Sequence, residues 1–258
     1  MRKRKPRIKV KRGIYILPNL FTTGNLLCGF WAIISVFQEQ FHLAAVAILL
    51  AAVFDALDGK IAKLSGATSK FGMEYDSLAD LVSFGIAPAL LAFSWGLRSY
   101  GKFGWLAAFT FVACGALRLA RFNVMSSSGD NKYFKGLPIP AAATMIALTI
   151  LLYLRLIETA WVKDIVILVM IYLLAFLMVS TIRYLSFKEL YLARRKPFSL
   201  FIFVVLSLIV IVMEPVLVLF AFILLYVFSG PINVLIAWHK KKALKNAEPA
   251  PEEDPVFR

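Results

Sequence analysis

Apolar stretches of about twenty residues recur along this chain, each long enough to cross a hydrocarbon core of about 30 Å as a helix. That repetition confines the fold to helices that span a membrane, because an unpaired backbone cannot be held in lipid. Eight such stretches can be cut from the sequence, over 19–38, 41–61, 74–97, 103–124, 138–158, 163–182, 197–213 and 215–238. The last two are parted only by Glu214-Pro215. Of the 258 residues 60% are hydrophobic and mean hydropathy is +0.78, well outside the usage of soluble domains. Short connections leave no room for a second globular domain. The expected architecture is an all-α integral membrane protein, a polytopic bundle of about eight transmembrane helices.

The formal charge of +14 finds its explanation in topology. If the N-terminus lies inside, 25 of the 29 basic residues fall on that side and only Arg98, Lys102, Arg155 and Lys163 on the other. This is the asymmetry that cytoplasmic loops carry, so both termini are expected in the cytoplasm and nucleic acid is not expected as a partner. The opening MRKRKPRIKVKRG has the charge of a signal peptide, but the apolar stretch after it is long and lacks a small-residue cleavage site, so it is expected to remain as the first span. Residues 126–135 read as a polar cytoplasmic loop, and the proline-rich acidic tail from Asn246 as disordered. Cys28 and Cys114 read as packing residues, and His42 and His239 offer neither a histidine metal site nor a serine–histidine triad.

Four carboxylates interrupt this apolar pattern. Asp55 and Asp58 stand three apart near the end of the second span, and Asp76 and Asp80 four apart at the start of the third, so each pair shares a helix face. An aspartate at mid-bilayer costs about 2.5–3.5 kcal/mol, and four unpaired ones on the order of 10 kcal/mol. The short connection between the two spans puts all four at the cytoplasmic end, where they can converge. Converging carboxylates repel unless they are protonated or bridged by cations, and hard oxygen ligands suit Mg²⁺ or Mn²⁺. Two ions about 3.5–4 Å apart would also hold the oxygens of a pyrophosphate. Lys60, Lys63 and Lys70 add positive charge around the same turn.

The pattern Asp55-x2-Asp58-Gly59-x2-Ala62-Lys63-x8-Gly72-x3-Asp76-x3-Asp80 resembles the signature of the CDP-alcohol phosphotransferases at seven of eight positions. The departure is Lys63, where that family usually carries Arg, which grips phosphate at two points. The resemblance implies a six-helix catalytic core around a CDP-linked substrate. It implies Asp55, Asp58 and Asp76 as metal ligands, and Asp80 both as a ligand and as the base for the acceptor hydroxyl. Gly59, Lys63 and Ser69 would contact the CDP moiety, together with Pro18, Asn19, Thr22 and Asn25 at the start of the first helix, where helix capping is the alternative.

Wider blocks, LPNLFTTGNLLCGF (17–30), DLVSFGIAPA (80–89), RLARFNV (118–124), GLPIPAAA (136–143) and STIRYLSFK (180–188), resemble bacterial and archaeal phosphatidylserine synthases of that superfamily. They imply transfer of a phosphatidyl group from CDP-diacylglycerol to the hydroxyl of L-serine with release of CMP. Arg118 and Arg121 are candidates for the serine carboxylate, with topological anchoring as the alternative; Asn123, Lys135 and Arg183 are weaker candidates. A sister enzyme using glycerol 3-phosphate or inositol phosphate is the alternative within the family, and a cation or proton transporter the rival from another class. The expected organisation is a basic segment at 1–18, the catalytic membrane domain at 19–188, additional helices at 189–238 and a cytoplasmic tail at 239–258. Expected partners are CDP-diacylglycerol, L-serine, membrane lipids and a second copy in a homodimer, with the active site facing the cytoplasm at the cell membrane. Pro88 is expected to kink the third helix, and Pro138 and Pro140 to shape the start of the fifth.

Overall fold

The computed structural model describes residues 16–65, 69–127, 136–156, 160–182, 184 and 213–247. They form a polytopic helical bundle of seven elements: α1 (Ile16–Phe37), α2 (Phe41–Ser65), α3 (Lys70–Tyr100), α4 (Lys102–Ser127), α5 (Ile139–Leu156), α6 (Ala160–Val179) and α7 (Pro215–Ala247). Five of these, α1 to α4 and α7, are long and apolar enough to cross a membrane; α5 and α6 contain shorter apolar helices. Of the eight expected spans, 197–213 lies outside the described residues apart from Met213, as do the basic segment before Ile16, Lys135, Arg183 and the side chain of Lys63.

The distribution of side chains is that of a protein in lipid. Leu27, Phe30, Phe109, Val169 and Phe222 are exposed, while Thr22, Asn25, Asp58, Asp80, Ser83 and Arg118 are buried. Small residues bring the helices close: Ala44, Ala45, Ala47 and Ala51 are fully enclosed on α2, which packs along α1. α1 approaches α3 closely at Gly29. A Cβ there would lie 2.6 Å from the Cα of Ser83, closer than real packing allows.

α3 carries half of the acidic cluster. It begins at Lys70, four residues before the expected start of the span, because Ser69 in extended conformation accepts a hydrogen bond from the Gly72 amide (2.9 Å) and caps the first turn. Directly after Asp80 the helix widens into a π-helical turn, Leu81–Ile86, in which the Ala87 amide reaches back to the Val82 carbonyl. Pro88 follows at once and has no N–H for the Phe84 carbonyl, so the α-helical ladder cannot run unbroken through this segment. Pro138 and Pro140 do frame the start of α5: the Pro138 carbonyl accepts from the amides of Ala141 and Ala142. α7 begins at Pro215, and the preceding Glu214 pairs through both carboxylate oxygens with Arg155 at the end of α5. It continues through Ala247, past the expected end at 238, since HKKKALKNA holds no helix breaker before Pro249.

Candidate active site

Antiparallel α1 and α2, joined by a short turn, bring Thr22 level with Asp58; the short connection to α3 then returns Asp76 and Asp80 to the same level. Carboxylate oxygens of Asp55, Asp76 and Asp80 lie within 4.8 Å of one another. Asp58 is outside that triad and is held by α1: Thr22 Oγ1 donates to its Oδ2 at 3.0 Å, with the Pro18 carbonyl as the alternative acceptor at 3.2 Å. Asn25, one turn further along the same face, donates from Nδ2 to Asp80 Oδ1 (3.0 Å). Ser83 in the π-helical turn donates to the Asn25 carbonyl (2.9 Å), which ties the widened segment of α3 to α1.

Thr22 and Asn25, singled out as nucleotide contacts, are thus buried against two of the aspartates. Asn19 sits one turn earlier, where its carbonyl accepts from Thr23 (2.8 Å) and its side-chain oxygen lies beside Gly72. Ser69 is engaged as the cap of α3. Gly59 is open: a Cβ there would meet nothing within 4 Å, so this turn of α2 presents bare backbone beside the cluster.

The two arginine candidates separate. Arg118 is buried, with the carboxylates of Asp80 and Asp55 as its electrostatic neighbours. Arg121 instead donates to the Val179 carbonyl at the end of α6 (3.4 Å), a helix C-terminal capping contact. Asn123 braces α4 against the first turns of α3, donating to Glu74 Oε2 (3.1 Å) and to Ser77 Oγ (3.0 Å) on either side of Asp76. Tyr75 meets Thr23 of α1 at 3.0 Å, so the segment bearing Asp76 is held from both flanks. Glu74, Ser77 and Tyr75 were not legible as site residues. Their only signal is proximity to Asp76, and which face each occupies depends on where α3 begins.

Among the described residues, Arg118 is the one buried cation set against four carboxylates. Asp76 Oδ1 is buried without a hydrogen-bond partner, as are Asn25 Oδ1 and Arg118 Nε. An orphaned carboxylate oxygen within a triad of converging oxygens fits a divalent, oxygen-preferring metal ion. Together the elements offer a carboxylate cluster with the donor set for a metal ion, an aspartate held by an amide, and a buried cation beside it.

Comparison with known proteins agrees with this chemistry. The family model described as CDP-alcohol phosphatidyltransferase matches residues 15–176. A protein of Helicobacter pylori named CDP-diacylglycerol–serine O-phosphatidyltransferase is 37% identical over 235 residues, covering 89% of this chain and 98% of that one. Proteins of the same name from Bacillus subtilis and Saccharomyces cerevisiae are similar too. The first is 36% identical over 67% of this chain and 92% of its own length. The second is 40% identical over 50% of this chain and 51% of its own length.

Proposed function

Because the chain belongs to the CDP-alcohol phosphatidyltransferase family, we propose that it transfers the phosphatidyl group of CDP-diacylglycerol to the hydroxyl of L-serine, giving phosphatidylserine and CMP. The observation that carries the choice of serine is the similarity over 98% of the length of a relative named for that reaction. The buried Arg118 supports it, because an amino-acid acceptor brings a carboxylate that needs a cation.

Asp55, Asp76 and Asp80 would hold the first divalent ion, Mg²⁺ or Mn²⁺, with Asp58 alongside for a second. Such ions, when bound, supply positive charge to the pyrophosphate and to the departing phosphate. The remaining work falls to side chains. Asp80 takes the proton of the serine hydroxyl as its oxygen forms the new bond to phosphorus, and the bond to CMP breaks with its electron pair leaving on CMP. Asn25 holds Asp80 Oδ1 by its amide, so the carboxylate keeps one orientation toward the acceptor. Thr22 does the same for Asp58. Bare backbone at Gly59 would give the CDP moiety its closest approach, with Lys63, four residues on in the sequence, as the proposed cation and Pro18 and Asn19, about one turn before Thr22 on α1, as the other contacts. Ser69 acts on this site through the start of α3. Arg118 orients serine by its carboxylate.

The bundle lies in the cell membrane with this end toward the cytoplasm. In support, Lys60, Lys70, Arg118 and Arg121 stand at the acidic end, and Arg98, Lys102 and Arg155 at the other. The test is to supply purified protein with CDP-diacylglycerol, Mn²⁺ or Mg²⁺ and labelled serine, glycerol 3-phosphate or inositol phosphate. Metal-dependent CMP release with labelled phosphatidylserine is expected. A lipid product from another alcohol and none from serine would overturn the acceptor assignment, and ion movement in liposomes without CMP release would overturn the enzyme.

A further inference from the structure

Two of the four aspartates are aimed by a side-chain donor from α1, Asp58 by Thr22 and Asp80 by Asn25. Asp76 also belongs to the converging triad, yet its Oδ1 is buried without a hydrogen-bond partner. The aim of that oxygen rests on the turn of α3 that carries it.

That turn is gripped from α4 by a single amide. Asn123 Nδ2 donates to Glu74 Oε2 (3.1 Å) and to Ser77 Oγ (3.0 Å), one residue on each side of the Tyr75–Asp76 step. A carboxylate only accepts, so Glu74 fixes which end of the Asn123 amide faces α3. Ser77 in turn donates to the Met73 carbonyl (3.1 Å), with Asn123 Oδ1 as its alternative acceptor at 3.2 Å. On the α1 side the Tyr75 hydroxyl lies 3.0 Å from that of Thr23, and the Tyr75 ring is stacked on Phe71 with centroids 6.0 Å apart and planes 13° from parallel. Successive residues of an α-helix point about 100° apart, which puts Asp76 on the strip of α3 between the side held by Tyr75 and the side held through Glu74 and Ser77. Rotation of α3 about its own axis is the motion that would carry Asp76 out of the triad. A grip on each side opposes it. The amide does so without adding a charge, whereas a lysine or arginine at 123 would compete with a metal ion for the carboxylates.

We infer that Asn123 is a positioning residue for the metal site: by clamping Glu74 and Ser77 to α4 it fixes the rotation of α3 and thereby the place of the Asp76 carboxylate in the triad. The inference rests on the metal reading given under the proposed function and is independent of which alcohol is the acceptor.

The test measures Mn²⁺ binding directly, by loss of the free-ion EPR signal, on full-length variants in detergent micelles without substrate, with Tm recorded beside it. Asn123→Leu, close in size and without donors, should raise the Mn²⁺ dissociation constant about tenfold, the lower end of what outer-shell partners of a metal contribute. Ser77→Ala should raise it less, and the double variant should fall short of the product of the two effects, because they share one network. Glu74→Gln keeps an oxygen for the amide and should stay within about twofold of wild type, while Glu74→Leu should resemble Ser77→Ala. In competition with Mn²⁺, Mg²⁺ should lose more affinity for Asn123→Leu than Ca²⁺ does, since Mg²⁺ demands near-ideal octahedral geometry and Ca²⁺ adapts. A general loosening of the fold would weaken both alike. Wild-type Mn²⁺ affinity in Asn123→Leu overturns the inference, and a rise in the KM for serine with that affinity intact would move Asn123 to the acceptor subsite. Equal losses in Glu74→Gln and Glu74→Leu also overturn it, because the charge of Glu74 would then be the agent. Should Asn123→Leu fail to fold, wild-type affinity in both Ser77→Ala and Glu74→Leu overturns it in its place. If wild type itself binds no Mn²⁺, the metal reading fails first and takes the inference with it.

Discussion

The two flanks of the acidic cluster are built differently. On the α1 flank, Asp58 and Asp80 are each met by a neutral donor at 3.0 Å, Thr22 and Asn25, and Ser83 locks the backbone between them. On the α4 flank stands a charge, Arg118, buried and with an orphaned Nε. A neutral hydrogen-bonded wall orients carboxylates without cancelling their charge, which suits them to cations. A buried arginine with unspent donors suits an anion. The difference suits one flank to a metal ion and the other to the carboxylate of the proposed acceptor.

The largest effect expected from breaking this arrangement is at the residue common to both flanks. Asp80→Asn should lower turnover by about 10²–10⁴, the usual weight of a general base, while CDP-diacylglycerol still binds. Retained turnover in that variant would remove Asp80 from its role. Asp58→Asn should weaken metal binding itself, read as a rise of about tenfold or more in the Mn²⁺ concentration for half-maximal activity. Equal metal affinity in the two proteins would take Asp58 out of the ligand set.

A finer cut sets one flank against the other. Thr22→Val, which keeps the shape and removes the donor, should raise the Mn²⁺ requirement by about three- to tenfold and leave the KM for serine alone. Arg118→Gln should do the reverse. If Arg118→Gln moved the metal requirement and not the serine KM, the division between flanks would be wrong. The smallest effect is expected far from both. Arg155→Ala removes a half-exposed pair at the opposite end of α7, about 1 kcal/mol or less, and should lower Tm by a few degrees at most without altering either constant.

Much of this was legible from spacing. Asp55, Asp58, Asp76 and Asp80 announce themselves as charges in an apolar run, and the helical repeat together with a short connection is enough to bring them to one end. Thr22 and Asn25 were also singled out, but as nucleotide contacts. Their burial against Asp58 and Asp80 follows from the close crossing of α1 with α2 and α3, where Gly29 lets the backbones meet, and no local pattern encodes a partner 36 or 55 residues away. Arg118 and Arg121, three apart and alike in sequence, part company because α4 turns one toward the aspartates and the other toward the end of α6.

The sequence alone determined the class of fold and the end of the bundle where charge collects, and it put hard oxygen ligands there. These depend on hydrophobicity, helical periodicity and ligand hardness, all of which are local. Only the tertiary structure decided which oxygens converge, which are held by α1, and that Arg118 is buried while Arg121 caps the end of α6. Those are contacts across helices far apart in the chain, and packing chooses them.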